Sequence, residues 1–172
     1  GEPGIYISIR PITPISENPV KVVYLNEIKY PIIRFNPAIK SMNYIGNMKA
    51  KKDAESLGAY EPVFYNNDRL ITECAIRNVF YIKDGVLLTP SLNLGVLPGV
   101  MRSTVINIAI EMGMKVDETQ IPFETINDMD EAFISSTGIG LLPCYWDGWE
   151  SEFKITKQLS LNLNLLIEKS CK

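Results

Sequence analysis

The run Asn78-Val79-Phe80-Tyr81-Ile82-Lys83-Asp84-Gly85-Val86-Leu87-Leu88-Thr89 decides the architecture. Two β-rich runs, 78–82 and 86–89, flank Lys83-Asp84-Gly85, and an Asp-Gly pair between such runs marks a tight hairpin. Downstream, Pro98-Gly99 opens a helix over Val100 to Glu111 that Gly113 closes. Met114 to Ile121 then reads as a strand, Phe123 to Met129 as a short helix, Ala132 to Ser135 and Leu141 to Tyr145 as strands, and Phe153 to Lys169 as a closing helix. Upstream, Leu70 to Thr72 and Pro62 to Tyr65 are strands around the turn Asn66-Asn67-Asp68. Met42 to Leu57 is an amphipathic helix stopped by Gly58. Tyr44, Ile45, Met48, Ala50 and Ala54 face one way, and Lys49, Lys51, Lys52, Asp53 and Glu55 the other. Gly4 to Arg10, Val20 to Leu25 and a short Ile32 to Phe35 complete the strands. Strands alternating with helices, with hairpins in the middle, define an α/β domain with a mixed sheet, and no internal repeat is visible.

The 172 residues are 46% hydrophobic and 22% charged, with a net charge of −3. That balance suits one globular domain and argues against broad nucleic-acid binding. No apolar stretch approaches a membrane span and no charged leader precedes an apolar run, so the expectation is a soluble protein with no membrane partner. Cys74, Cys144 and Cys171 are too scattered for a metal site or a disulfide framework, which points to the reducing cytoplasm. The chain has no histidine. Ser-His and Cys-His nucleophiles and most zinc sites are thereby removed, and any proton shuttle falls to Lys, Asp, Glu, Tyr or Cys.

Four features carry chemistry. Lys40 precedes the first long helix, where the positive end of a helix dipole disfavours an ammonium and favours a neutral, nucleophilic amine. Glu73 lies between two strands, and a carboxylate buried there needs a partner such as a pyridinium N–H. The first amides of the helix after Leu97-Pro98-Gly99, those of Val100 and Met101, suit an anion. Ser135-Ser136-Thr137-Gly138 adds hydroxyls and a flexible glycine. Singly, each has an ordinary reading: an exposed lysine, an edge carboxylate, a helix start, a turn. Together they are the groups needed to hold pyridoxal phosphate.

In order and spacing, five blocks resemble the class IV aminotransferases, the fold-type IV pyridoxal phosphate enzymes. They are Ile39-Lys40-Ser41-Met42-Asn43-Tyr44, Leu70 to Phe80, Lys83-Asp84-Gly85-Val86, Leu97-Pro98-Gly99-Val100-Met101-Arg102 and Phe133-Ile134-Ser135-Ser136-Thr137. The family includes branched-chain and D-amino acid aminotransferases and aminodeoxychorismate lyases. The resemblance implies their large domain: a mixed, partly barrel-like sheet with flanking helices, spanning residues 1–172. It makes Lys40 the Schiff-base lysine and proton shuttle, Glu73 the partner of the ring nitrogen, and Tyr44 that of the phenolic oxygen. Leu97 would pack on the ring, and the Val100 and Met101 amides with the Thr137 hydroxyl would hold the phosphate. Thr137 and Gly138 would meet a substrate carboxylate.

Three positions depart from the family pattern. Cys74 stands where many members have Gly, Arg77 where many have Ser or Glu, and Met101 where a threonine is frequent. Members also carry a smaller N-terminal domain, expected to be absent from this chain, which supplies a phosphate-binding arginine and part of the pocket across a homodimer interface. The implied reaction is amino-group exchange between an amino acid and a 2-keto acid, branched-chain-like. The alternatives are an aminodeoxychorismate lyase, a catalytically silent interaction module, and an α/β binding domain for some other phosphate ligand.

Overall fold

The computed structural model describes residues 4, 6–9, 11 and 14–170. Eight strands form one mixed sheet: β1 (Val20–Asn26), β2 (Glu61–Tyr65), β3 (Ile71–Cys74), β4 (Asn78–Lys83), β5 (Val86–Pro90), β6 (Val116–Thr119), β7 (Glu131–Ser136) and β8 (Gly140–Tyr145). Their spatial order is β3-β2-β1-β8-β7-β4-β5-β6, and the sheet curls into a half-barrel. The hairpin that opened the sequence reading is present: Lys83 pairs with Val86. Asp84 and Gly85 both take positive φ, the conformation such a two-residue turn requires.

Alternation along β4 shows how the core is divided. Val79 and Tyr81 point into one apolar cluster with Val63, Ile71, Ile134, Leu142 and Trp146. Phe80 and Ile82 point into the other, with Phe133, Val105 and Ile108. Successive side chains of a strand face opposite sides of the sheet, so a strand covered on both faces reads as one continuous apolar run. The second cluster lies under α2 (Val100–Glu111) and α3 (Lys154–Ser170). Phe80 stacks on Phe133 there at 4.9 Å between centroids. Glu131 in β7 caps α3 from outside the helix, accepting hydrogen bonds from the Ile155 and Thr156 amides, both at 2.7 Å.

Several expectations are corrected. Of the strand expected over Gly4 to Arg10, Ile5 and Arg10 lie outside the described residues. Gly4 and Tyr6 to Ile9 are irregular, with Tyr6 97% and Ile9 92% exposed. β-prone side chains become a strand only against a neighbouring strand, and none pairs with them. Ile32 to Phe35 is also irregular, because it serves as an arm from which Arg34 reaches across to Glu27 and Glu73. The first helix, α1 (Ile45–Ser56), begins three residues later than expected, with Tyr44 as its N-cap. β3 runs one to two residues later than expected, so Glu73 lies within a strand and not between two. The Met114 to Ile121 strand shortens to β6, and the short helix after it is a 3-10 turn, Phe123–Asp128. Among the described residues no helix is long and apolar enough to cross a membrane.

Candidate active site

Four segments meet at one cleft of about 430 Å³. They are the strap of residues 32–44 leading into α1, the end of β3 with its loop into β4, the turn Leu97 to Gly99 into α2, and the end of β7. Lys40, Tyr44, Glu73, Leu97, Val100, Met101 and Thr137 all line it. Gly138 does not; it sits exposed in the β7–β8 turn beside Thr137.

The strap is held by close backbone contact. A Cβ on Gly46 would lie 2.6 Å from the Pro31 carbonyl oxygen, so only glycine lets the first turn of α1 approach. One residue on, the Asn47 side-chain amide donates to the Ala75 carbonyl at 2.7 Å and ties α1 to the β3–β4 loop. Lys40 is exposed, five residues ahead of the first residue of α1. The expected effect of the helix dipole therefore does not reach Lys40, since that field fades within the first turn. Its amine donates to the Tyr44 hydroxyl at 3.4 Å and lies 5.8 Å from the centre of that ring.

Glu73 is nearly surrounded. Its Oε1 accepts from Arg34 Nη1. Its Oε2 accepts from the Leu97 amide at 3.1 Å and from Asn78 Nδ2 at 3.4 Å. Burial pushes the carboxyl above its ordinary range, and the Arg34 charge and the Leu97 amide pull against that. Asn78 also donates to the Leu97 carbonyl at 3.0 Å, so one side chain at the start of β4 fixes both the carboxylate and the turn. Arg34 is shared. Its Nε and Nη2 donate to Glu27 Oε2 at 3.1 and 2.9 Å, and Nη2 also donates to the Thr72 hydroxyl at 3.1 Å.

The start of α2 suits an anion. Gly99 caps α2 with no side chain to offer, leaving the first amides of that helix without internal partners. The Ser135 hydroxyl is buried, lines the cleft and has no hydrogen-bond partner among the described residues. The Thr137 side chain is exposed at the rim.

Arg34, Asn78 and Asn47 are not among the residues singled out in the sequence as members of this site, whereas Ser135 belongs to the hydroxyl cluster singled out there. Asn is depleted in strands, so an Asn opening β4 was a usable signal. Nothing local marks Arg34. The departures at Cys74 and Arg77 have structural roles. Cys74 is buried in the core, and burial pushes its thiol well up. Arg77 donates to the buried Glu61 carboxylate at 2.5 Å and to the Tyr60 hydroxyl at 2.9 Å. Among the described residues no cluster of three or more acidic or cysteine side chains could hold a metal ion.

An exposed amine, a buried carboxylate and a bare helix start meet at one cleft of a mixed α/β fold. Residues 1–145 match the amino-transferase class IV family. A Methanocaldococcus jannaschii protein provisionally assigned as a branched-chain-amino-acid aminotransferase is 30% identical over 84% of this chain and 51% of its own length. A crystal structure of a branched-chain aminotransferase from Thermoproteus uzoniensis with norvaline superposes with a TM-score of 0.79. It is 26% identical, over 86% of this chain and 51% of that one. A Legionella pneumophila protein provisionally assigned as a 4-amino-4-deoxychorismate lyase also gives 0.79, at 27% identity over 89% and 58%. The chain belongs to the class IV aminotransferases, whose members work with pyridoxal phosphate. It spans about half the length of the relatives it matches.

Proposed function

We propose that residues 1–172 form the cofactor-holding large domain of a pyridoxal phosphate-dependent aminotransferase. The enzyme would exchange amino groups between a branched-chain-like amino acid and a 2-keto acid, and would act as a homodimer. The convergence of Lys40, Glu73 and the uncapped start of α2 on one cleft carries this reading. The residues fit the cofactor. The unpaired Ser135 hydroxyl and the Val100 and Met101 amides offer donors to a phosphate, and Glu73 offers a buried carboxylate to a ring nitrogen. When bound, the cofactor supplies an electron sink for a substrate α-carbon. Lys40 would bond the aldehyde and, once displaced, carry a proton at its Nζ. Tyr44, within reach of that amine, would orient it. Leu97 would pack against the ring, and Thr137 at the rim, with Gly138 beside it, would meet a substrate carboxylate.

The test is covalent. The chain is incubated with pyridoxal phosphate, reduced with borohydride and digested, and the modified lysine is read by mass spectrometry. One cofactor mass on Lys40 is expected, lost in Lys40→Ala and reduced in Glu73→Gln. Labelling spread over the surface lysines and unchanged in both variants would defeat the assignment. The second reading, a lyase releasing pyruvate, is favoured by the Legionella neighbour and by the Glu73-Cys74 pair. Pyruvate release from aminodeoxychorismate without amino-group exchange would select it.

A further inference from the structure

We propose that Glu27 is a positioning residue of the Glu73 site: it occupies the Nε–Nη2 edge of Arg34 and leaves Glu73 a single guanidinium N–H. Glu27 lies in a 3-10 turn (Glu27–Lys29) after β1, well outside the sequence blocks that mark the cleft. Its Oε2 nevertheless accepts both hydrogen bonds from that edge, and a third at 3.2 Å from the Thr72 hydroxyl. Only Arg34 Nη1 is left for Glu73. All three side chains are largely buried, at 18% exposure for Arg34, 16% for Glu27 and 14% for Glu73. Arg34 is also hemmed in behind, because its Cβ lies 3.0 Å from where a side chain on Gly95 would begin.

A guanidinium forks naturally onto one carboxylate with two parallel N–H bonds, and such a pair holds that carboxylate firmly charged. Dividing the fork between two acids prevents this. Glu73 keeps a lone pair of Oε1 and more of its basicity than a two-bonded partner would have. The Glu27 charge acts on Glu73 in the same direction. The other ionisable side chains lining the cleft are Lys40, Tyr44, Cys74 and Arg77; Arg77 is held by Glu61, and burial pushes the Cys74 thiol well up. Under the proposed function, Glu27 would set how readily Glu73 shares a proton with the ring nitrogen. The inference rests on that function for its purpose but not for its test.

The test is a 13C-carboxyl NMR titration of the chain without cofactor, with the Glu73 signal assigned by its loss in Glu73→Gln. Glu27→Gln should lower the Glu73 midpoint by roughly one pH unit, since Arg34 can turn its whole fork to Glu73. In an Arg34→Gln background the same substitution should move the midpoint by about half as much or less, leaving only the loss of the Glu27 charge. Where Arg34→Gln does not fold, Arg34→Lys, which keeps a charge but has no fork, gives the same comparison. Equal shifts in both backgrounds would reduce Glu27 to a remote charge and overturn the proposal. No shift, with only a fall in melting temperature, would make it a structural anchor and also overturn it. Failure of the cofactor-labelling experiment would strike the proposed function and leave this coupling intact.

Discussion

Where the Glu73 side of the cleft is buried and bonded at both carboxylate oxygens, the Lys40 side is exposed and, among the described residues, bonded once. Glu73, Asn78 and the Leu97 turn form a net of hydrogen bonds backed by β3 and β4. Lys40 hangs on an irregular strap whose only polar hold on it is Tyr44. The difference teaches a division of labour. The carboxylate is fixed by the sheet, and the amine is left exposed on the strap. The group expected to react costs the fold nothing, whereas the group expected to hold still is structural as well.

The largest effect is expected at Lys40. Lys40→Ala should abolish the reducible cofactor mass and any transamination, yet leave the urea midpoint within about 0.5 kcal/mol of wild type. A large loss of stability would show that the exposed wall is structural after all. Next comes Gly46→Ala, which puts a methyl against the Pro31 backbone at 2.6 Å. It should cost about 1–3 kcal/mol in chemical denaturation and loosen the strap. Asn78→Ala strips the bonded wall of a donor to Glu73 and leaves the Leu97 carbonyl short of a partner. About 1–2 kcal/mol is expected, with weaker cofactor binding besides.

The smallest effect is the pH dependence. Burial holds the folded Glu73 carboxyl above its ordinary value of 4.5. Between that value and the raised one, the folded state binds more protons than the unfolded chain, so the contribution of Glu73 to stability falls as pH rises through the window. Glu73→Gln removes this slope. Its melting temperature relative to wild type should therefore climb as pH rises above 4.5. A flat or falling difference would show that Arg34 and the Leu97 amide outweigh burial.

What could be read from the sequence was what is local. The Asp84-Gly85 turn, the Pro98-Gly99 start of α2 and the two-faced run of β4 each carry their signal within a few residues, and each forms where expected. Four of the five blocks contribute residues to the cleft, while Ile32, Ile33, Arg34 and Asn47 line it from outside them. The failures are tertiary. Met42 to Tyr44 continues the apolar pattern of α1, but the chain turns there, and Tyr44 becomes a cap. Ile32 to Phe35 has strand composition, yet the charge of Arg34, wanted by two carboxylates far apart in sequence, dictates its path. The Gly4 to Arg10 run has the right side chains for a strand and no partner among the described ones. A pairing between Glu27 and a residue on β3 leaves no periodic trace, so no window over the sequence could have shown it.

The seam between β1 and β8 carries a further consequence. These strands are parallel and share only two registered pairs, Val20 with Cys144 and Lys21 with Tyr145. Everything on one side of the seam belongs to β3-β2-β1, and everything on the other to β8-β7-β4-β5-β6. Side chains stitch it more than backbone does, as where the Tyr24 and Tyr81 hydroxyls meet at 3.1 Å. On a ribosome, β1 would wait for more than a hundred residues before its neighbour emerged, a delay typical of slow, non-local sheet assembly. Glu73 lies on one side of that join and Ser135 on the other. Both sub-sheets must be in place for the cleft that they line to exist.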